Sequence, residues 1–253
     1  MEDSPIGLDK WLPAIWLLSS ARNGISSWEL HRALGVTQKT AWFMLGRIRL
    51  AMQDESSGGK IGGAGSEVEI DETYIGGKSR NMHANKRAER KSDATGSFGK
   101  AVVIGALERG GKVKATVATD RKKHTMQPFV RENVATGTEI HSDEHAMSWK
   151  MDEEYTHQMV NHLESYVDGN VTTNRIENFW SLLKRGITGT YVSVEPFHLF
   201  RYVDEQAFRF NNRLPMTDGD RFSYLVRKCV GKRLTYAQLI GHPEKMRKPA
   251  EPF

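Results

Sequence analysis

The chain has 253 residues, 36 of them Lys or Arg against 31 Asp or Glu, which gives a formal charge of +5 with 38% hydrophobic and 26% charged residues. These proportions suit a globular protein with a sizeable core, and the longest apolar run, Trp11 to Leu18, is broken by Pro13, which argues against a membrane-spanning segment. The single cysteine, Cys229, excludes an intramolecular disulfide and a cysteine-rich zinc site within this chain.

The acidic start, Met1-Glu2-Asp3-Ser4-Pro5, has no basic flank followed by an apolar core, so the expected setting is cytoplasmic. The basic excess is modest and permits an anionic partner such as nucleic acid without requiring one. Residues 8–52 read as three short helices, with Trp11, Ile15 and Leu18 on the first and Trp28, Leu30, His31 and Leu34 around the second. Gly35 supplies a turn and Thr37 an N-cap for the third. That helix turns Ala41, Trp42, Leu45 and Ile48 inward and leaves Gln38, Lys39, Thr40, Arg47 and Arg49 more exposed. This is helix-turn-helix grammar, in which Gln38, Lys39 and Thr40 at the start of the last helix are the candidate readers of base edges.

The Gly- and Ser-rich stretch from Ser56 to Ser66 lacks a hydrophobic period and reads as a linker. Val68 to Ile75 alternates as a strand, with Asp71 on the face opposite Val68 and Ile70. From Lys78 to Lys100 seven basic residues and few apolar ones predict a basic loop able to track phosphates. Ala101 to Leu107 and Val113 to Thr119 read as a hairpin turned at Arg109 to Lys112. A helix from about Thr125 to Val134 follows, with Pro128 in its first turn. Gly137 to Ser142 is a fourth strand with Asp143 at its end, and His157 to Val160 a fifth.

Asn174 to Gly186 reads as an amphipathic helix. Ile176, Phe179, Trp180 and Leu183 follow the i, i+3, i+4, i+7 rule as one buried stripe, and Glu177, Ser181 and Lys184 share another face. Two readings of Glu177 compete. It is a metal ligand if other carboxylates converge on it, for which Asp71 and Asp143 are the upstream candidates, yet Asn174-x-x-Glu177 also has the spacing of a capping box. Asn178 is the other candidate for the third ligand position, although it is rotated about 100 degrees from Glu177 and away from Lys184. A further helix after Glu195-Pro196 carries Phe197, Phe200, Val203, Ala207 and Phe210 inward, and a basic tail begins beyond Pro215.

Asp71 on a first strand, Asp143 after a fourth and Glu177 on a late helix are ordered as in ribonuclease H-like nucleotidyl transferases. Glu69-Ile-Asp-Glu-Thr-Tyr-Ile-Gly-Gly-Lys78, Ser142-Asp-Glu144 and Thr173-Asn-Arg-Ile-Glu-Asn-Phe-Trp-Ser-Leu-Leu-Lys-Arg-Gly186 resemble successive blocks of the ISXO-like insertion-sequence transposases, a bacterial DDE group with a lysine seven residues after the third acid. The resemblance runs from about Gly65 to Arg213. It implies an α/β ribonuclease H-like domain, a mixed five-stranded sheet flanked by helices, over residues 67–214. Residues 1–55 would be a helix-turn-helix DNA-binding unit, 56–66 a linker and 215–253 a basic tail. The activity implied is DNA cleavage and strand transfer of an insertion sequence by a homo-oligomer on double-stranded DNA. The alternative is a DNA-binding remnant or domesticated protein without productive transposition.

The chemistry can be argued from the residue types alone. Phosphodiester exchange needs an activated hydroxyl in line with a leaving oxygen, and two divalent ions stabilise both. Hard carboxylate ligands such as Asp71, Asp143 and Glu177 favour Mg2+ or Mn2+ over zinc. Lys184, with Arg185 beside it, would then contact a DNA phosphate near the ions. The nine histidines match no zinc spacing.

Overall fold

The computed structural model describes residues 4–53, 59–76, 100–143, 154–160 and 172–241. The chain divides into two compact units, residues 54–211 and residues 1–53 with 212–253.

In the larger unit the alternating stretch forms strand β1 (Glu67–Ile75). It pairs antiparallel with β2 (Ala101–Glu108), which pairs antiparallel with β3 (Val113–Ala118) through the expected hairpin. Gly110 takes φ +77 in that turn, a left-handed conformation that favours glycine. On its other side β1 runs parallel to β4 (Glu139–Asp143), and β4 parallel to β5 (Thr156–Val160). The mixed five-stranded order is therefore β3-β2-β1-β4-β5, with β1 central. This arrangement, flanked by helices, is consistent with a ribonuclease H-like fold.

The two faces of the sheet have separate cores because strand residues alternate sides. Val68, Ile70, Ile104, Ala106 and Ile140 pack with Met126, Phe129 and Val130 of helix α4 (Lys123–Asn133). Pro128 falls inside α4 instead of its first turn, because the helix begins earlier than its composition suggests. Asp120 stabilises that earlier start by accepting from the Lys122 N–H and the Thr125 hydroxyl, both at 2.8 Å. On the opposite face Val103 and Leu107 meet Ile176, Phe179, Trp180 and Leu183 of helix α5 (Asn174–Arg185), together with Leu199, Val203 and Phe210 of α6 (Leu199–Asn211). Burial contributes about 1.5–3 kcal/mol for each side chain such as Ile176, Phe179 or Leu183. Phe197, expected in the core, is 52% exposed. A 3-10 turn over Pro196–His198 precedes α6 and breaks the continuous helical period on which that expectation depended.

The glycine-rich stretch is no free tether over its described part. Ile61 is buried, bridges Val134, donates to the Asn133 carbonyl at 2.8 Å and accepts from the Ala135 N–H at 2.9 Å. The Gly63 N–H donates to the Thr138 hydroxyl at 2.9 Å. Of the basic stretch 78–100, all but Lys100 lies outside the described residues.

The smaller unit contains α1 (Leu8–Ser20), α2 (Ser27–Leu34) and α3 (Gln38–Met52). A Ser26–Glu29 capping box opens α2, Gly35 at φ +65 closes it, and the Thr37 hydroxyl accepts from the Thr40 N–H to open α3. Residues read from sequence as the start of a tail form α7 (Asp218–Lys228) and a short α8 (Tyr236–Leu239). Helix α7 packs on α1 and α3, and α8 on α3, so more of the α3 surface is covered than three helices alone would cover. Arg49 is buried where exposure was expected, Trp42 is only half-buried, and Trp28 is 59% exposed on the face away from Leu30 and Leu34. Among the described residues no helix is long and apolar enough to cross a membrane.

Candidate functional site

Asp71 stands opposite Gly105 in the β1–β2 ladder. On the other side of β1, Val68 pairs with Ile140 and Glu69 with His141. Carrying the same offset two residues further puts Asp71 level with Asp143, the last residue of β4, itself paired with Val160. Positions in register on adjacent parallel strands lie on one sheet face, so the backbone alone puts both acids on the same side of the sheet. The Asp143 side chain lies outside the described residues.

Helix α5 crosses that side with its apolar stripe inward, leaving Glu177, Ser181 and Lys184 exposed along its edge. A cavity of about 450 Å³ opens there, lined by Asp71, Glu72 and Thr73 from β1 and by Glu177, Trp180, Ser181 and Lys184 from α5. The Trp180 indole N–H donates to Asp71 Oδ2 at 2.9 Å, and the Thr173 hydroxyl donates to Glu177 Oε1 at 3.0 Å. Each carboxylate thus has one oxygen oriented by a neutral donor. Glu72, though it lines the rim, pairs with Arg121 at 3.0 Å.

The capping-box reading of Glu177 is overturned by who caps the helix. Thr173, not Asn174, is the N-cap, and its side chain makes no cap bond. The open N–H groups of Arg175 and Ile176 donate instead to Glu69 Oε2, at 2.9 and 3.0 Å. Glu69 was missed in the sequence although it shares the parity of Asp71, because its partners are remote in the chain, the α5 N–H groups more than a hundred residues away and Arg109 forty. Its other oxygen, Oε1, accepts from Arg109 Nε at 3.1 Å. Arg109 also donates to Glu67, to the Thr172 carbonyl at 3.0 Å and to His141 Nδ1 at 3.0 Å. A guanidinium only donates, so His141 accepts at Nδ1 and gives its Nε2 proton to Glu139 Oε1, 3.0 Å away. His141 is therefore a satisfied core histidine.

The structure brings Asp71, Glu177 and Lys184 together. Arg185 and Asn178 are exposed on α5 but do not line the cavity. Gln38, Lys39 and Thr40 belong to the smaller unit. There the Gln38 amide donates to the Ser27 hydroxyl at 2.8 Å, the Thr37 hydroxyl donates to Thr40 Oγ1 at 2.8 Å, and Lys39 Nζ lies 5.0 Å from the centre of the Tyr236 ring.

Among the described residues no three His, Cys, Asp or Glu side chains form a metal-ligand group. Asp71 and Glu177 nevertheless supply two hard carboxylates to one open cavity, a donor set that fits Mg2+ or Mn2+ better than a thiophilic metal.

A family model described as an ISXO2-like transposase domain matches residues 62–211, which include both carboxylates and Lys184. The chain has no match among curated proteins or among solved structures.

Proposed function

Because this chain belongs to the ISXO2-like transposase domain family, we propose that it is a DDE transposase that cleaves the ends of an insertion sequence and joins the freed 3′ hydroxyl to target DNA. The observation that carries this reading is the shared cavity, where β1 presents Asp71 and α5 presents Glu177 and Lys184. In this reading Asp71, Asp143 and Glu177 would hold two divalent ions, which would supply charge stabilisation to the attacking and leaving oxygens of an in-line displacement. The protein's part is positioning. Trp180 and Thr173 each occupy one carboxylate oxygen and so direct the rest of the group. Lys184 binds a DNA phosphate at the cavity edge, and Arg185, one residue on, meets the backbone outside it. The smaller unit is assigned as the helix-turn-helix that engages the element's terminal repeats, with Gln38, Lys39 and Thr40 toward the major groove. A homo-oligomer on double-stranded DNA would bring two element ends together.

The test is Mg2+-dependent cleavage of duplex DNA carrying the element's own termini by Asp71→Asn, Asp143→Asn and Glu177→Gln. Each variant should lose cleavage while binding that DNA and unfolding thermally as the wild type does. Near wild-type cleavage by any one of them removes that residue from the metal site.

A further inference from the structure

Glu69 is wholly buried, 0% exposed, two residues before Asp71 on the same face of β1. A buried carboxylate must be surrounded by donors, and these come from two separate parts of the chain. The N–H groups of Arg175 and Ile176 reach Oε2, and Arg109 Nε reaches Oε1. The first turn of any helix leaves N–H groups without intrahelical partners, and its positive end favours an anion. Glu69 meets both needs for α5. Arg109 adds a second tie, because it also holds the carbonyl of Thr172, which immediately precedes the N-cap.

Without Glu69 the apolar stripe and the Trp180–Asp71 bond would still hold α5 against the sheet, but apolar contact is non-directional and that bond acts at Trp180, four residues beyond the Ile176 N–H. The Glu69 hydrogen bonds, of fixed length and angle, act at the first turn itself. Glu177 follows Ile176 by one residue, and Lys184 is two turns further along the same helix.

We infer that Glu69 is a positioning residue: its carboxylate, gripped by Arg109, fixes the first turn of α5 to β1 and so sets the distances of Glu177 and Lys184 from Asp71. This inference rests on the reading of the cavity as the site where Asp71 and Glu177 hold divalent ions. An amide cannot replace the carboxylate, since its NH2 must face either the two backbone N–H groups or Arg109 Nε, donor against donor.

The experiment uses the full chain and three readouts on Glu69→Gln: hydrogen exchange at the α5 start, Mn2+ binding by electron paramagnetic resonance, and Mg2+-dependent cleavage. The amides of Arg175 and Ile176 should exchange faster, and the Mn2+ midpoint should rise by about 10- to 100-fold, the usual loss when a group orienting a metal ligand is removed. The Mg2+ midpoint of cleavage should rise in parallel. Should Glu69→Gln fail to fold, Glu69→Asp keeps the charge but is one methylene too short, and the same shifts are expected of it. Faster exchange or a lowered melting temperature with an unchanged Mn2+ midpoint overturns the inference and leaves Glu69 a structural cap. Glu177→Gln is the separate control: Mn2+ binding as tight as wild type in that variant sinks the metal-site reading itself, whatever Glu69 does.

Discussion

Gly105→Ala is the sharpest test of how closely α5 must approach the sheet. Gly105 is the β2 partner of Asp71. A Cβ there would lie 2.7 Å from Trp180 Cη2, 2.9 Å from Trp180 Cζ2 and 3.3 Å from Ile176 Cδ1. Carbon atoms rest at about 3.5–4.0 Å, so either the Trp180 ring or the helix must retreat by about 1 Å. Overpacking of this kind costs about 1–3 kcal/mol, offset by about 0.4–1 kcal/mol because alanine restricts the unfolded chain more than glycine. The net loss is about 0–2.6 kcal/mol, equivalent to a melting temperature lower by up to about 10 °C for a unit of this size. The functional loss should be larger than the stability loss. Moving Trp180 stretches its bond to Asp71 and shifts Glu177 with the helix, and a misplacement of about 1 Å can cost on the order of 100-fold in rate. Thermal unfolding and Mg2+-dependent cleavage of the same preparation measure both. A variant as stable as wild type that cleaves at the wild-type rate would refute the close packing of α5 on β2 as one of the contacts that shape the site.

Two substitutions separate the remaining roles around the cavity. Trp180→Phe keeps most of the ring but removes the donor to Asp71, a bond to a charged group worth about 1.5–3 kcal/mol; cleavage should fall more than DNA binding, and unchanged cleavage would show that the indole does not orient Asp71. Lys184→Ala removes an exposed side chain outside the apolar stripe, so stability should stay within about 0.5 kcal/mol. The log–log salt slope for end-DNA binding should fall by about 0.9 for one lost phosphate contact, and a full slope with a lowered melting temperature would make Lys184 a helix-surface residue only.

Periodicity and turn chemistry carried much of the architecture. The β2–β3 hairpin, the Gly35 turn, the Thr37 cap and the buried stripe of α5 each follow from a handful of neighbouring residues. The errors came where the deciding partner is remote or covering. The stretch before β1 has linker composition, but Ile61 finds an apolar pocket and backbone partners beside Val134. The C-terminal segment has weak apolar patterning around Leu225 and Leu239, and it gains its packing from α1 and α3. Arg49 is buried as well, which no local pattern in α3 announces.

The sequence by itself determined which residues are acids on a strand or helix and which face of each element they take, because strand and helix periods are local properties of the backbone. It therefore put Asp71 opposite Val68 and Ile70, and Glu177 beside Lys184. Only the tertiary structure decided that β1 lies at the centre of the sheet, that the strand ending in Asp143 is its parallel neighbour, and that α5 is capped from β1 by Glu69 and not by its own Asn174 and Glu177. Those are pairings across long sequence separations. They are fixed by the need of each buried carboxylate and each open helix N–H to find a partner in the assembled fold, which no window of neighbouring residues contains.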